Sequence, residues 1–433
     1  MSRPRGFADL AGHRVGVWGI GVEGRATIAA LQAVGATVVA VDDNDLGEPD
    51  VLLTASGGFD ALLECDIVLK SPGIPARRRD VLDLESRGVP RTSALAVWLA
   101  GTDRANVIAV TGTKGKSTTT SLIQFMLEAC GESARSCGNI GLPPYDPAGP
   151  EATWTVLEVS SYQALDVTDA PGVVVVTSLG EDHLDWHGDM EQYVNDKLQL
   201  TRAEGHHLTV VPDDVVVLIH RDLMGGEIVV EHASDVELAE LLGLIGQHNA
   251  RNVALALHAT AKALRRPVED VRAATVRNAT NFSPLPGRLT LVHRAQIDTS
   301  HIDFVDDGLA TNVVAVLAAV SAFRGRPVTL IMGGFDRGVS YAHLAHGLRE
   351  ASDQLSVVVM GPAGERIADA VAHSEFNLDV ERAADLDDAV ARAVSHAAQT
   401  GGVVLFSPGA ASFDQFKNWA ERSAHFSALA RRY

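Results

Sequence analysis

Residues 110–118 read V-T-G-T-K-G-K-S-T, directly after an apolar run at 107–109. An apolar run, a turn holding Gly112 and Gly115, and then a helix start would aim several backbone N–H groups into one small space. Phosphate oxygens can be cradled there. Lys116 adds a point charge on the same side, and the Ser117 hydroxyl can ligate Mg²⁺. The general pattern G-x-x-x-x-G-K-[ST] asks for Gly at 110, where this chain has Val110. The plainer reading is a glycine-bearing loop capped by Thr or Ser, and the residues downstream weigh against it. Gly138-Asn139-Ile140-Gly141 lies some twenty residues on, and Glu158 sits near the end of a second apolar run. A third run, 173–177, leads into Gly180-Glu181-Asp182-His183-Leu184-Asp185-Trp186-His187-Gly188. Polar groups at the C-terminal ends of adjacent parallel strands converge on one crevice. Glu158 and His183 would then face the phosphate turn and could hold a Mg²⁺ bridging nucleotide phosphates. Taken singly, Glu158 reads as a helix-capping carboxylate and His183 as a loop histidine. Their joint position favours metal or phosphate chemistry.

A second glycine turn, Gly19-Ile20-Gly21-Val22-Glu23-Gly24, follows the apolar run 14–18 and precedes Asp42 and Asp43 at the end of the next one. This is the context of a dinucleotide-binding turn, so an NAD-dependent dehydrogenase is one reading. The same turn can hold the diphosphate of a UDP-sugar at its helix N-terminus, with Asp42 or Asp43 on ribose or uracil. The bland alternative is a set of glycines serving only a tight strand-to-helix turn.

The elements that must position these groups fall into three α/β segments. Strands are expected at 14–18, 37–41, 67–70, 107–109, 155–159, 173–177, 329–332, 356–360 and 403–406, with helices at 25–34 and 190–203 among those between them. Alternating strands and helical patterns imply parallel sheets flanked by helices. Boundaries are expected near 97 and 286, giving domains 1–96, 97–286 and 287–433. The second is marked by Ser283-Pro284-Leu285-Pro286-Gly287, which cannot continue a helix. The 433 residues carry 46% hydrophobic and 21% charged side chains, ordinary for an α/β enzyme. A net charge of −19 argues against a nucleic-acid partner held by general electrostatics, but not against small anionic substrates. Cys65, Cys130 and Cys137 lack metal-ligand spacing and fit a reducing compartment. With no signal peptide and no apolar run long enough to span a bilayer, a cytoplasmic protein without a membrane partner is expected.

On these motifs the chain resembles the Mur ligases, ATP-dependent amino-acid-adding enzymes of peptidoglycan precursor synthesis, and within them the glutamate-adding branch. The resemblance spans essentially the whole length. It rests on the 111–118 turn, Gly138-Asn139-Ile140-Gly141, Glu158-Val159-Ser160-Ser161-Tyr162-Gln163, Glu181-Asp182-His183-Leu184-Asp185 and Asp196-Lys197-Leu198. It continues through Gly246-Gln247-His248-Asn249-Ala250-Arg251-Asn252, Ala310-Thr311-Asn312 and the 407–418 stretch. That family's phosphate turn also lacks the first glycine. The resemblance implies a Rossmann-like UDP-binding domain, a central P-loop ATPase-type parallel sheet and a C-terminal Rossmann-like domain for the incoming amino acid. The substrates would be UDP-N-acetylmuramoyl-L-alanine, glutamate and ATP, and the protein would be a monomer. ATP would be held by Gly112, Thr113, Lys114, Gly115, Lys116, Ser117, Thr118, Asn249, Asn252, Arg288 and Asp307. Two Mg²⁺ would be served by Ser117, Thr118, Glu158, His183 and Lys197, the last as a carbamate. Lys116, Glu158, His183 and Lys197 would carry the chemistry. Val22, Glu23, Asp42, Asp43, Asn44, Gly73 and Asn139 would contact the UDP-linked substrate.

The pattern departs from the family in one region. Leu309 stands where a lysine is usual, Arg337 where a lysine is usual in a G-G-x-x-K turn, and Trp419 where Phe is common. Arg337 offers a planar fork where lysine offers a point charge. Thr311, Arg337, Ser412, Phe413 and Trp419 would line the amino-acid pocket, so the changes gather around the glutamate while the UDP and ATP signatures are intact. Both D-glutamate and L-glutamate remain open, because chirality is read by pocket shape. A folylpolyglutamate synthetase-like ligase is the alternative within the same wider group, disfavoured by the N-terminal nucleotide turn and by Gly138-Asn139-Ile140-Gly141.

Overall fold

The computed structural model describes residues 3–433 except 206, 339, 342 and 373–377. The first sheet is built from β1 (Arg14–Trp18), β2 (Thr37–Asp42), β3 (Val51–Leu53), β4 (Ile67–Lys70) and β5 (Arg91–Thr92), all parallel, in the order β3-β2-β1-β4-β5. The second comprises β6 (Val107–Thr111), β7 (Ala134–Gly138), β8 (Trp154–Glu158), β9 (Val173–Val176), β10 (Leu208–Pro212) and β11 (Glu227–Glu231), again all parallel, in the order β11-β10-β9-β6-β8-β7. The third contains β12 (Thr290–Ile297), β13 (Ser300–Asp306), β14 (Val328–Gly333), β15 (Leu355–Met360), β16 (Asp379–Ala383) and β17 (Gly402–Phe406), in the order β12-β13-β17-β14-β15-β16. Only β12 is antiparallel to its neighbour there, with a register shift between Leu291 and His293.

The runs that read clearly in sequence are strands buried on both faces. β6, β8, β9 and β14 are buried along their whole length, as expected of parallel strands covered by helices. The helix expected from residue 25 begins at Val22, one turn earlier. Eight strands were not among those expected, being short or interrupted or flanked by polar residues: β3, β5, β7, β10, β11, β12, β13 and β16. β12, T-L-V-H-R-A-Q-I, mixes polar and apolar residues at the sheet edge, and β13 is broken by His301 and Asp303.

The chain divides into two compact units, Met1–Asp235 with Arg251–Ala279, and Val236–Ala250 with Thr280–Tyr433. In the first, the opening two sheets share a core in which Val15, Val17 and Leu69 join Val107, Leu157 and Val174. Between those sheets, β5 ends at Thr92, the helix Ala94–Gly101 intervenes and β6 begins at Val107. In the second unit, helices cover both faces of the third sheet, over cores centred on Leu330 and Leu405 on one side and Phe304 and Phe406 on the other. Each sheet reverses its winding beside a central strand, leaving a crevice at strand C-termini where ligands of open α/β sheets bind. No helix among the described residues is long and apolar enough to cross a membrane.

Candidate active site

The phosphate turn leaves β6 at the winding reversal of the second sheet. Gly112 has φ +141°, and a Cβ on it would lie 2.1 Å from Thr177 Oγ1. Gly115 has φ +88° at the start of the helix Lys116–Ala129, where a Cβ would lie 2.7 Å from Asn252 Oδ1. Both positions need glycine for backbone and for space. The turn is pinned to the loop after β9: Thr113 N–H donates to the Ser178 carbonyl (2.8 Å), and Lys114 N–H to Ser178 Oγ (2.9 Å). Thr113 Oγ1 meets Tyr193 OH at 2.9 Å. Lys116 Nζ donates to the carbonyls of Gly112 (2.9 Å) and Thr113 (3.2 Å), so its charge lies over its own turn. The Ser117 and Thr118 side chains are buried in the first helical turn. Lys114 pairs with Asp182 at 3.4 Å.

Lys197, in the helix Met190–Arg202, is 2% exposed, and its Nζ donates to the Gly112 carbonyl at 3.0 Å. Burial, and then the nearby Lys116 charge, hold its amine well below the ordinary lysine range, against the opposing pull of Asp182 and Glu158. Glu158, also 2% exposed, ends β8 and lies opposite Val110 of β6. Its Oε1 accepts from Asn139 Nδ2 at 2.7 Å, while Oε2 is buried without a hydrogen-bond donor. A buried carboxylate oxygen lacking a donor is costly, and a cation is what fits it. His183 follows β9 in the left-handed region at φ +53°, uncommon for a residue other than glycine. Its imidazole lies 3.8 Å from Asp182 and 5.0 Å from the Tyr162 ring. Among the described residues no three His, Cys, Asp or Glu side chains form a ready-made cation cage. Mg²⁺ takes one or two carboxylates and completes its octahedron with phosphate and water, and the Glu158 carboxylate and the Ser117 and Thr118 hydroxyls are oxygen donors of that kind.

At the first sheet, Val22 is exposed at the helix start and Gly73 faces open space. The carboxylates there have internal partners. Asp42 accepts from the Ile20 (2.7 Å) and Asn44 (2.9 Å) amides, bracing the glycine turn. Asp43 accepts from Thr54 (2.8 Å) and pairs with Arg78, which lies over the Trp18 ring. Glu23 accepts from Gln163 Nε2 (2.6 Å) and Tyr145 OH (3.2 Å), and burial raises its carboxyl above the usual range. These contacts join the first two sheets.

In the second unit, the segments after the adjacent strands β13, β17 and β14 carry Asp307 and Thr311, Ser412, Phe413 and Trp419, and Arg337, while Arg288 precedes β12 and Asn249 lies in the helix Gln247–Leu264. Asp307 accepts from Ser407 Oγ at 2.7 Å, and burial pushes its carboxyl up to about 7, opposed by nearby Arg288. The Arg337 guanidinium lies 5.5 Å from the Phe413 ring, which meets Phe335 edge-on at 6.3 Å. Phe413 is 58% exposed. Thr311 is exposed, Ser412 buried, and Trp419 lies against Gly287. Asn249 donates to the Ile245 carbonyl at 2.8 Å.

Sequence reading missed two buried charges that hold these parts. Arg422 donates to the carbonyls of Gly308, Ala410 and Ala411, tying the loop after β13 to that after β17. Asp196 accepts from Arg77 (2.9 and 2.7 Å), Gln192 (2.7 Å) and His187 Nδ1 (2.8 Å). Its place beside Lys197 in a quoted motif was a signal. Arg77, 119 positions away, gave none.

The family description "Mur ligase middle domain" matches residues 110–222, and "Mur ligase, glutamate ligase domain" matches 287–409. A Micromonospora UDP-N-acetylmuramoyl-L-alanine–L-glutamate ligase is 38% identical, covering 98% of both chains. A protein of the same name from Xanthomonas axonopodis is 34% identical over 98% of this chain and 96% of its own. Among solved structures, MurF from Acinetobacter baumannii superposes with a TM-score of 0.59 at 16% identity, over 97% of this chain and 93% of its own, which shows the fold.

Proposed function

This chain belongs to the Mur ligase family, and from that premise we propose that it joins glutamate to UDP-N-acetylmuramoyl-L-alanine, using ATP, in peptidoglycan precursor synthesis. The observation that carries the reading is the position of buried Lys197, 3.0 Å from the Gly112 carbonyl of the phosphate turn, with Glu158 one strand away. The full-length likeness to glutamate ligases supports it. A carboxylate is a poor acyl donor at neutral pH. The muramoyl-alanine carboxylate therefore attacks the γ-phosphorus of ATP, giving an acyl phosphate and ADP. The glutamate amine then attacks the acyl carbon and phosphate leaves, with loss of one proton.

Lys116 would offset the charge that gathers on the β- and γ-phosphates, and those amides of the turn not already bonded to Ser178 would bind their oxygens. Mg²⁺, held by Glu158, His183, Ser117 and Thr118, would neutralise phosphate charge. Burial disfavours the protonated form of the Lys197 amine, and it is the neutral form that would add to CO₂ and lose a proton. Its carbamate would supply the anionic ligand that a bare lysine cannot. Asn139, which holds Glu158 Oε1, would contact the UDP-linked substrate, as would Val22, Glu23, Asp42, Asp43, Asn44 and Gly73. Asn249, Asn252, Arg288 and Asp307 would complete the nucleotide site. Thr311, Arg337, Ser412, Phe413 and Trp419 would take glutamate, with Arg337 on a carboxylate. Holding amine and acyl phosphate in line supplies ~7–11 kcal/mol of the barrier when the geometry is good.

We take the acceptor to be L-glutamate, supported by the names of the relatives at 33–38% identity. The enzyme would act as a cytoplasmic monomer without a nucleic-acid partner, consistent with its charge of −19. ADP release with UDP-N-acetylmuramoyl-L-alanine, ATP and Mg²⁺ tests both parts. Turnover with L-glutamate at least tenfold above D-glutamate is expected. The reverse preference would overturn the stereochemistry alone, and no turnover with either isomer would overturn the ligase.

A further inference from the structure

The buried carboxylate of Asp196 gathers four parts of the first unit. The Arg77 guanidinium grips both its oxygens at 2.9 and 2.7 Å. Arg77 stands in the loop after β4, four residues beyond Gly73, on the side where the UDP-linked substrate is expected. Asp196 is adjacent to Lys197 in the helix Met190–Arg202. His187 Nδ1 lies 2.8 Å from its Oδ2, and His187 closes the short helix Leu184–His187 that His183 opens. His187 Nε2 meets Ser161 Oγ at 2.9 Å, at the start of the helix after Glu158. A carboxylate only accepts, so the His187 Nδ1 proton points to Asp196. The Tyr162 ring stacks on His187 at 5.5 Å and reaches His183 at 5.0 Å.

A bidentate Arg–carboxylate pair has defined geometry. Asp196 thus joins the β4 loop directly to the Lys197 helix and, through His187, to the His183–His187 turn and the exit of β8. We propose that Asp196 and Arg77 are positioning residues which couple the UDP-substrate loop of the first sheet to the magnesium and acyl-phosphate machinery of the second. This deepens the ligase reading and rests on it. The consequence is positive coupling: the UDP-linked substrate raises the affinity for ATP, and reciprocally.

The test measures the dissociation constant of a non-hydrolysable ATP analogue with Mg²⁺, with and without saturating UDP-N-acetylmuramoyl-L-alanine. The full chain is used as wild type, Arg77→Gln, Arg77→Lys and Asp196→Asn. A ratio of about fivefold or more is expected for wild type. It should fall towards one in Arg77→Gln and Asp196→Asn, and to an intermediate value in Arg77→Lys, which keeps charge but loses the fork. Arg77 has 46% of its side chain exposed, so Arg77→Gln should keep the fold, with a lowered thermal midpoint, even if Asp196→Asn does not. An active ligase with a wild-type ratio of one, or with its ratio intact in Arg77→Gln, overturns the coupling alone. A wild type inert with both glutamate isomers overturns the reading beneath it.

Discussion

Lys197 and Asp307 show how burial turns ordinary side chains into reagents or liabilities. Desolvation shifts a buried lysine such as Lys197 towards its neutral form, which is the form that attacks CO₂, whereas an exposed one stays protonated. Lys197→Ala is expected to lose at least ~100-fold in kcat, a share of which returns on adding tens of millimolar formate or acetate. Turnover unchanged by the substitution would sink the carbamate. Asp307 works in the opposite sense, because its folded carboxyl titrates near 7 against an ordinary 3.8. Below pH 3.8 both states are protonated and there is no penalty. As pH climbs through the interval the unfolded carboxyl ionises while the folded one keeps its proton, so stability falls, and above about 7, where both are ionised, the penalty is constant. Roughly three units at ~1.4 kcal/mol each bound the effect at ~4 kcal/mol. In ligand-free protein, Asp307→Asn should therefore raise the urea midpoint clearly at pH 8 and little at pH 4.5. An equal gain at both pH values would refute the titration argument. These two residues differ in legibility. Lys197 lay in a recognisable motif. The burial that makes Asp307 unusual arises from packing between loops after β13 and β17, about a hundred residues apart.

At the level of elements, the strand-to-helix turn at 111–116 combines two constraints that sequence shows only as a pair of glycines. Gly112 is confined by Thr177 and by the backbone of Ser178 as well as by its φ, whereas Gly131, at φ +90°, faces open space. Gly131→Ala should thus cost about 1 kcal/mol, the strain of a left-handed residue alone. Gly112→Ala should cost more, over ~2 kcal/mol by chemical denaturation, and should abolish nucleotide binding. Equal costs would mean that crowding at Gly112 is relieved by movement of the β9 loop. The strands flanking this turn were readable because parallel strands buried on both faces are written as unbroken apolar runs. Edge and charged strands were not, and β13, which delivers Asp306 and Asp307 to the second-unit site, was among those lost. Its Ile302, Phe304 and Val305 are fully buried, but intervening polar residues hide the pattern.

For the molecule as a whole, three consecutive α/β segments were legible from the recurrence of apolar runs and glycine turns, and the motifs between them marked Lys197 and Glu158, which the fold brings beside the phosphate turn. Long-range pairing of charges was not. The Arg77–Asp196 grip and the Arg422 anchor depend on which loops become neighbours, and no local spacing encodes that. The order β12-β13-β17-β14-β15-β16 carries a further implication for how the chain is made. β17 fills the slot between β13 and β14, yet it is the last strand to leave the ribosome. Until residue 406 has emerged, β13 and β14 each present an open hydrogen-bonding edge, a template for pairing with other chains. A nascent chain arrested or clipped before Gly402 would therefore be a half-zipped sheet with two sticky flanks, a substrate for holdase chaperones and proteases and not merely a shorter ligase.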